Sequence, residues 1–69
     1  MKTLKEIQNE NPYASVFTIE EFVDHVRAGG ITNYDGCGFY HDGINETNVR
    51  VNADMVNRNI YPYVCWYNN

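Results

Sequence analysis

A cysteine nucleophile needs a base within hydrogen-bond reach and an acid to orient that base. This chain holds such parts in Cys37 and Cys65, His25 and His41, and the aspartates Asp24, Asp35 and Asp42. Their setting argues against that use. Cys37 sits between Gly36 and Gly38 in a strand-like stretch, whereas a reactive thiol sits at a helix N-terminus or beside a lasting positive charge. Zinc is the second chemistry these residue types suggest, with Cys37 and His41 four apart on one strand face and Cys65 and His25 brought near by folding. A zinc finger or knuckle instead spaces its first ligand pair ~2–4 residues apart in a turn and repeats the arrangement. Calcium fails on residue type. Laying an EF-hand over Asn33-Tyr34-Asp35-Gly36-Cys37-Gly38 puts a cysteine at one liganding position and Ile44 at the closing one. Gly36-Cys37-Gly38-Phe39-Tyr40-His41 lacks the third glycine and the following helix of a dinucleotide loop. Asn45-Glu46-Thr47 matches a glycosylation sequon, which has meaning only in a secreted chain. The expectation is two free thiols, no catalytic residue, no metal and no cofactor.

The elements that would position these residues are marked by local signals. Thr3-Leu4-Lys5-Glu6 has the spacing of a capping box, predicting one or two helical turns over residues 4–9 that Asn11-Pro12-Tyr13 ends. Thr18-Ile19-Glu20-Glu21 is a second box. It opens the main amphipathic helix, whose apolar stripe is Ile19, Phe22, Val23 and Val26 and whose wet side carries Glu20, Asp24 and Arg27. Gly29-Gly30 supplies its stop. Beyond it the period changes to two: a strand over Tyr34–His41 places Cys37 and Phe39 on one face and Gly36, Gly38 and Tyr40 on the other. The glycines leave room that Trp66 or a tyrosine can fill. Asp42-Gly43 signals a hairpin turn, Thr47–Asn52 the return strand, Asn52 the cap of a short helical turn over Ala53–Asn57, and Tyr63–Tyr67 a last strand. The fold class expected is α+β, with one main amphipathic helix on a three-stranded antiparallel sheet plus short extra helical turns, in a single domain over residues 1–69. Its core is predicted to join Phe22, Val23, Val26, Phe39, Val49, Val51 and Trp66.

Composition narrows the function classes. Of 69 residues, 43% are hydrophobic and 14% aromatic, too ring-rich for a disordered chain, yet the length falls below what two folding units need. Nine acids against five bases give a net charge of −4, the wrong sign for gripping a phosphate backbone, so no direct nucleic-acid binding is expected. No apolar run reaches the ~18 residues of a membrane span, and the first residues lack a signal-peptide pattern. The expectation is a soluble chain, away from membranes. The six tyrosines exceed what so small a core easily takes in, and tyrosine is an interface-anchoring residue. A surface that binds another protein therefore emerges as the leading reading.

A helix ending in Gly-Gly, then Asn33-Tyr34-Asp35-Gly36-Cys37-Gly38-Phe39-Tyr40, a valine-rich strand and the closing Val64-Cys65-Trp66-Tyr67-Asn68 together resemble small proteins of bacteriophages, prophages and plasmids. The resemblance spans about residues 18–69 and carries no catalytic motif. It implies an inhibitor of the anti-CRISPR or anti-restriction type, acting in the cytoplasm of a bacterial host. Such a protein would block a host protein or nucleoprotein complex stoichiometrically by occluding its surface. The residues expected to meet that partner are Glu20, Asp24, Asp35, Asp42 and Glu46, with Tyr34 and Tyr40 as anchors, the acids steering encounter with a basic groove. Two alternatives stand beside it: a homodimeric structural or accessory module pairing through an edge strand or aromatic face, and a small zinc-binding module or enzyme. Light scattering separates the dimer, and a metal assay the zinc module.

Overall fold

Both capping boxes form. In the computed structural model, which describes residues 1–69, Thr3 and Glu6 exchange side-chain and backbone hydrogen bonds at the head of helix α1 (Leu4–Glu10). Thr18 and Glu21 do the same for helix α2 (Ile19–Arg27). Each box satisfies amides that a first helical turn would otherwise leave free. At the other end of α2, Gly29 N–H donates to Val26 O and Gly30 N–H to His25 O, closing the helix in a Schellman motif. No helix is long and apolar enough to cross a membrane.

Four strands follow or flank these helices: β1 (Ser15–Thr18), β2 (Gly36–His41), β3 (Glu46–Arg50) and β4 (Tyr63–Asn68). They form one sheet in the order β1-β4-β2-β3, every neighbouring pair antiparallel. The expected three-stranded sheet thus gains a fourth member, and the expected extra helical turns at the N-terminus become a proper helix. Strand β1 is only four residues long, and Thr18 both ends it and caps α2. The short turn after β3 stays a turn rather than a helix: Asn52 accepts from Asp54 N–H and Met55 N–H, and Met55 is exposed.

Strand β4 shows how the layers stack. Val64, Cys65 and Trp66 are consecutive and each at most 1% exposed, and alternating side chains can all be buried only if both sheet faces are covered. On one face α2 brings Ile19 and Phe22 onto Tyr40, Val64 and Trp66, with Ile31, Val51 and Ala53 closing the margins. On the other face α1 brings Ile7 onto Val16 and Cys65. The indole of Trp66 meets the Phe22 ring at a centroid distance of 5.5 Å and lies on Gly38, where an added Cβ would stand 2.6 Å from Trp66 Cε3. The room left at Gly38 is thus filled by Trp66, and that at Gly36 by the backbone of Tyr67 and Asn68.

This stacking inverts the expected face of β2. Gly38 and Tyr40 point to the α2 core, while Phe39 is only half-buried on the α1 side, beneath the Arg50 guanidinium. Val49, expected in the core, is 46% exposed because β3 is an edge strand beyond the reach of either helix. Val26 packs at the margin, and Phe22, Val23, Val51 and Trp66 are buried as expected.

Candidate functional site

The residues with covalent or metal chemistry in their side chains are kept apart by the sheet. Cys37 stands opposite Tyr67, and Cys65 opposite Phe39, so the two cysteines are diagonal neighbours. Such positions are ~7–8 Å apart between Cα atoms, wider than the ~4.4–6.8 Å a disulfide spans, and both thiols are free. Burial, with Glu46 adding to it, pushes the Cys65 thiol up to about 12, the opposite of an activated nucleophile. His41 lies four residues along β2 from Cys37, ~13 Å at strand rise. Its Nδ1 accepts from Gly43 N–H at 2.9 Å. His25 is on α2, its ring 4.8 Å from that of Phe17, with the sheet between it and Cys65. No group of three or more His, Cys, Asp or Glu is placed to hold a metal ion. Asn33 and Asp35 make loop bonds instead: Asp35 accepts from Thr32 N–H and Oγ1 at 3.0 Å, and Asn33 Oδ1 from Ala53 N–H at 2.8 Å.

The residues expected to meet a partner do not form one surface. Glu20 and Asp24 are exposed on the outer side of α2, Glu20 lying 3.9 Å from Arg58. Asp42 and Glu46 flank the β2–β3 hairpin, at the far end of β2 from Asp35. At that hairpin end the polar groups are committed to structure. Asp42 Oδ1 accepts from Ile44 and Asn45 N–H at 2.7 and 2.8 Å, bonds that hold its carboxyl below the ordinary 3.8. Glu46 accepts from the Tyr67 hydroxyl at 2.7 Å. Burial and this bond together push the Tyr67 hydroxyl up. Lys2 N–H donates to Gly43 O at 2.7 Å, and Met1 covers Gly43, which turns the chain at φ +97°.

Tyr40, expected to anchor a partner, is instead buried. It is 4% exposed, its ring stacks on Tyr61 at 5.0 Å, and its hydroxyl accepts from Asn57 N–H at 2.7 Å. A ring enclosed on the α2 side and bonded through its hydroxyl has no surface to offer a partner.

The opposite end of the sheet is where exposed aromatic surface gathers. Ser15 pairs with Trp66 and Gly36 with Asn68, so β1 begins, β2 begins and β4 ends at this one end. Tyr13 precedes β1 and Tyr34 precedes β2, and each is 92% exposed. The strands that follow them are separated by β4 alone, ~10 Å at two strand spacings. Both tyrosines rise from fixed backbone. Tyr34 N–H donates to Thr32 Oγ1 at 3.2 Å, and its carbonyl accepts from Asn69. Asn69 N–H also donates to Asp35 O at 2.8 Å. Beside Tyr13, Ala14 N–H donates to Asn11 O, and Ala14 O accepts from Gln8. The hydroxyls of Tyr40, Tyr63 and Tyr67 are bonded within the chain; those of Tyr13 and Tyr34 are not. Two exposed rings on hydrogen-bonded loops, with Asp35 following Tyr34 in the chain, can insert into another protein without first ordering a loop. Tyr13 was absent from the expected site. Its signal was its place after Pro12 in a loop, where no core pattern claims it. Set beside known proteins, the chain matches no family model, no curated protein and no solved structure.

Proposed function

We propose that the chain is a noncatalytic protein-binding inhibitor that occludes a functional surface of a bacterial host complex, one copy per site, through the sheet end bearing Tyr13, Tyr34 and Asp35. The observation that carries this reading is the near-complete exposure of both tyrosines on backbone fixed by hydrogen bonds. A tyrosine ring offers ~150–250 Å² to bury and loses few rotamers when it docks. Its hydroxyl then finds a polar partner across the interface. The net charge of −4 speeds encounter with basic surfaces. Complexes that handle nucleic acid present such surfaces, and the resemblance to phage and plasmid proteins suggests host defence complexes among them.

The test is titration of the chain into purified CRISPR effector and restriction complexes, with nuclease activity as the readout. Inhibition should saturate near one chain per target site, and Tyr13→Ala with Tyr34→Ala should raise the concentration required. Progressive inactivation by substoichiometric chain would mean turnover and overturn the reading. So would inhibition indifferent to both tyrosines.

A further inference from the structure

The two edges of the sheet are finished differently. On β1, the outer edge is met by the side-chain amide of Gln8: Nε2 donates to Ala14 O at 2.7 Å and Oε1 accepts from Val16 N–H at 3.0 Å. Those are the bonds a neighbouring strand's peptide group would make, so this edge is closed to further pairing. On β3 no side chain does the same. Asn45 O and Val51 N–H face β2, so by the alternation of a strand the backbone groups of Glu46, Asn48 and Arg50 face outward. The bulge opposite Tyr40 shifts the register by two residues, an even number, and the alternation keeps its phase. Thr47 Oγ1 fills that bulge, donating to Tyr40 O and accepting from Val49 N–H.

The sequence of this open edge, Glu46-Thr47-Asn48-Val49-Arg50, is self-complementary about its centre. Against a second copy running antiparallel, a two-fold axis at Asn48 sets Glu46 opposite Arg50 and Thr47 opposite Val49. The first is an opposite-charge pair on one face, and the second pairs two β-branched side chains of the same shape on the other. Within the chain Arg50 makes no ion pair and rests over the Phe39 ring at 5.9 Å. Glu46 accepts from the Tyr67 hydroxyl through Oε1, lies beside the Cys65 thiol and makes no ion pair within the chain. Arg50 and Glu46 both lie on the α1 side of the sheet, since Phe39 and Tyr67 do. Both helices pack over the β1–β4 side and leave the β3 edge clear.

We propose that β3 pairs antiparallel with β3 of a second copy of this chain about a two-fold axis at Asn48, giving a continuous eight-stranded sheet. Its outer edges are then both the Gln8-closed β1, so the assembly stops at two. The two tyrosine ends fall at opposite ends of the joined sheet. Pairing five residues a side lies below the ~1,200 Å² of standard interfaces, so association belongs at high protein concentration.

Sedimentation of the full chain from micromolar to millimolar concentration tests this. The mass should climb from 8.0 kDa toward twice that value. Arg50→Glu or Glu46→Arg, each of which turns both symmetric pairs into like charges, should weaken association roughly tenfold. The double exchange should restore it. In the parent chain, amide exchange at Glu46, Asn48 and Arg50 should slow as concentration rises, a readout that stands even if an exchanged variant does not fold. A constant 8.0 kDa across the range would overturn the proposal. A folded double exchange that stays monomeric, or concentration-dependent protection at Tyr13 and Tyr34 in place of β3, would do the same.

Discussion

The two ends of this sheet carry similar residue types to opposite effect. At the hairpin end Asp42, Glu46, Tyr63 and His41 are spent on the chain itself, binding turn amides, a tyrosine hydroxyl, the Lys2 carbonyl and the Gly43 amide. At the other end Tyr13 and Tyr34 lift their rings into solvent from backbone that is bonded on both sides. Exposure alone would rank both ends as recognition surfaces, since Asp42 and Glu46 are exposed too. Asp35 and Asp42 both accept bonds from their own loops, so what separates the ends is the tyrosine hydroxyls: those of Tyr63 and Tyr67 are bonded within the chain, and those of Tyr13 and Tyr34 are not. Changes at the hairpin end should therefore read out in stability, and changes at the tyrosine end in binding.

Breaking the support common to both ends has the largest expected effect. Phe22 is fully buried between Ile19, Trp66 and the sheet, and Phe22→Ala should cost ~3–5 kcal/mol in denaturant unfolding. In a domain this small that loss removes most of the folded population, and both ends with it. An unchanged melting temperature would mean that α2 faces the wrong way. Next comes Gly38→Val, which drives a side chain into the Trp66 indole and toward the Cys65 carbonyl, 3.2 Å from the added Cβ. Overpacking of that kind costs ~1–3 kcal/mol, and a variant as stable as the parent would contradict the close approach of β2 to Trp66.

The hairpin end has a pH signature. Burial lowers the His41 pKa from its ordinary 6.5, because a charged imidazole loses its hydration there, and the Lys2 charge adds to the lowering; the neutral ring accepts from Gly43 N–H through Nδ1. The neutral form is the one the fold favours. Its contribution to stability is complete above 6.5 and is lost as pH falls from there through the lowered value. His41→Asn retains an acceptor but does not titrate, so it should flatten this part of the stability profile. A parent chain whose stability is flat across the same window would remove His41 from the account. The smallest effect on folding belongs to Tyr13→Ala and Tyr34→Ala, each expected within ~0.5 kcal/mol of the parent. A larger loss would show that these rings pack on the chain after all.

What could be read before the structure was local chemistry. Thr3 with Glu6 and Thr18 with Glu21 announced both helix starts, Asp42-Gly43 announced the hairpin, and the strand glycines announced a close approach by Trp66 or a tyrosine, which at Gly38 is Trp66. What could not be read was set by layers. The N-terminal helix offers little more than Leu4 and Ile7 as an apolar side, too little to predict that it covers a second sheet face. The alternation of Cys37 and Phe39 with Gly36, Gly38 and Tyr40 favoured the wrong side as core, because the packing that Gly38 lacks is supplied by Trp66 from the neighbouring strand. Tyr40 looked like an anchor for the same reason. The acids of the expected site were legible as exposed, but the bonds that occupy Asp42 and Glu46 exist only once the hairpin and β4 are in place.

The division between the two ends is tested most directly by capture from a bacterial lysate, comparing the parent chain with two double variants, Tyr13→Ala/Tyr34→Ala and Asp42→Ala/Glu46→Gln. Each is first shown to be folded by circular dichroism at the capture temperature. One host protein or complex should be held by the parent and by the hairpin variant, and released by the tyrosine variant. Retention by the tyrosine variant with loss from the hairpin variant would place the binding surface at the acidic turn and contradict the account.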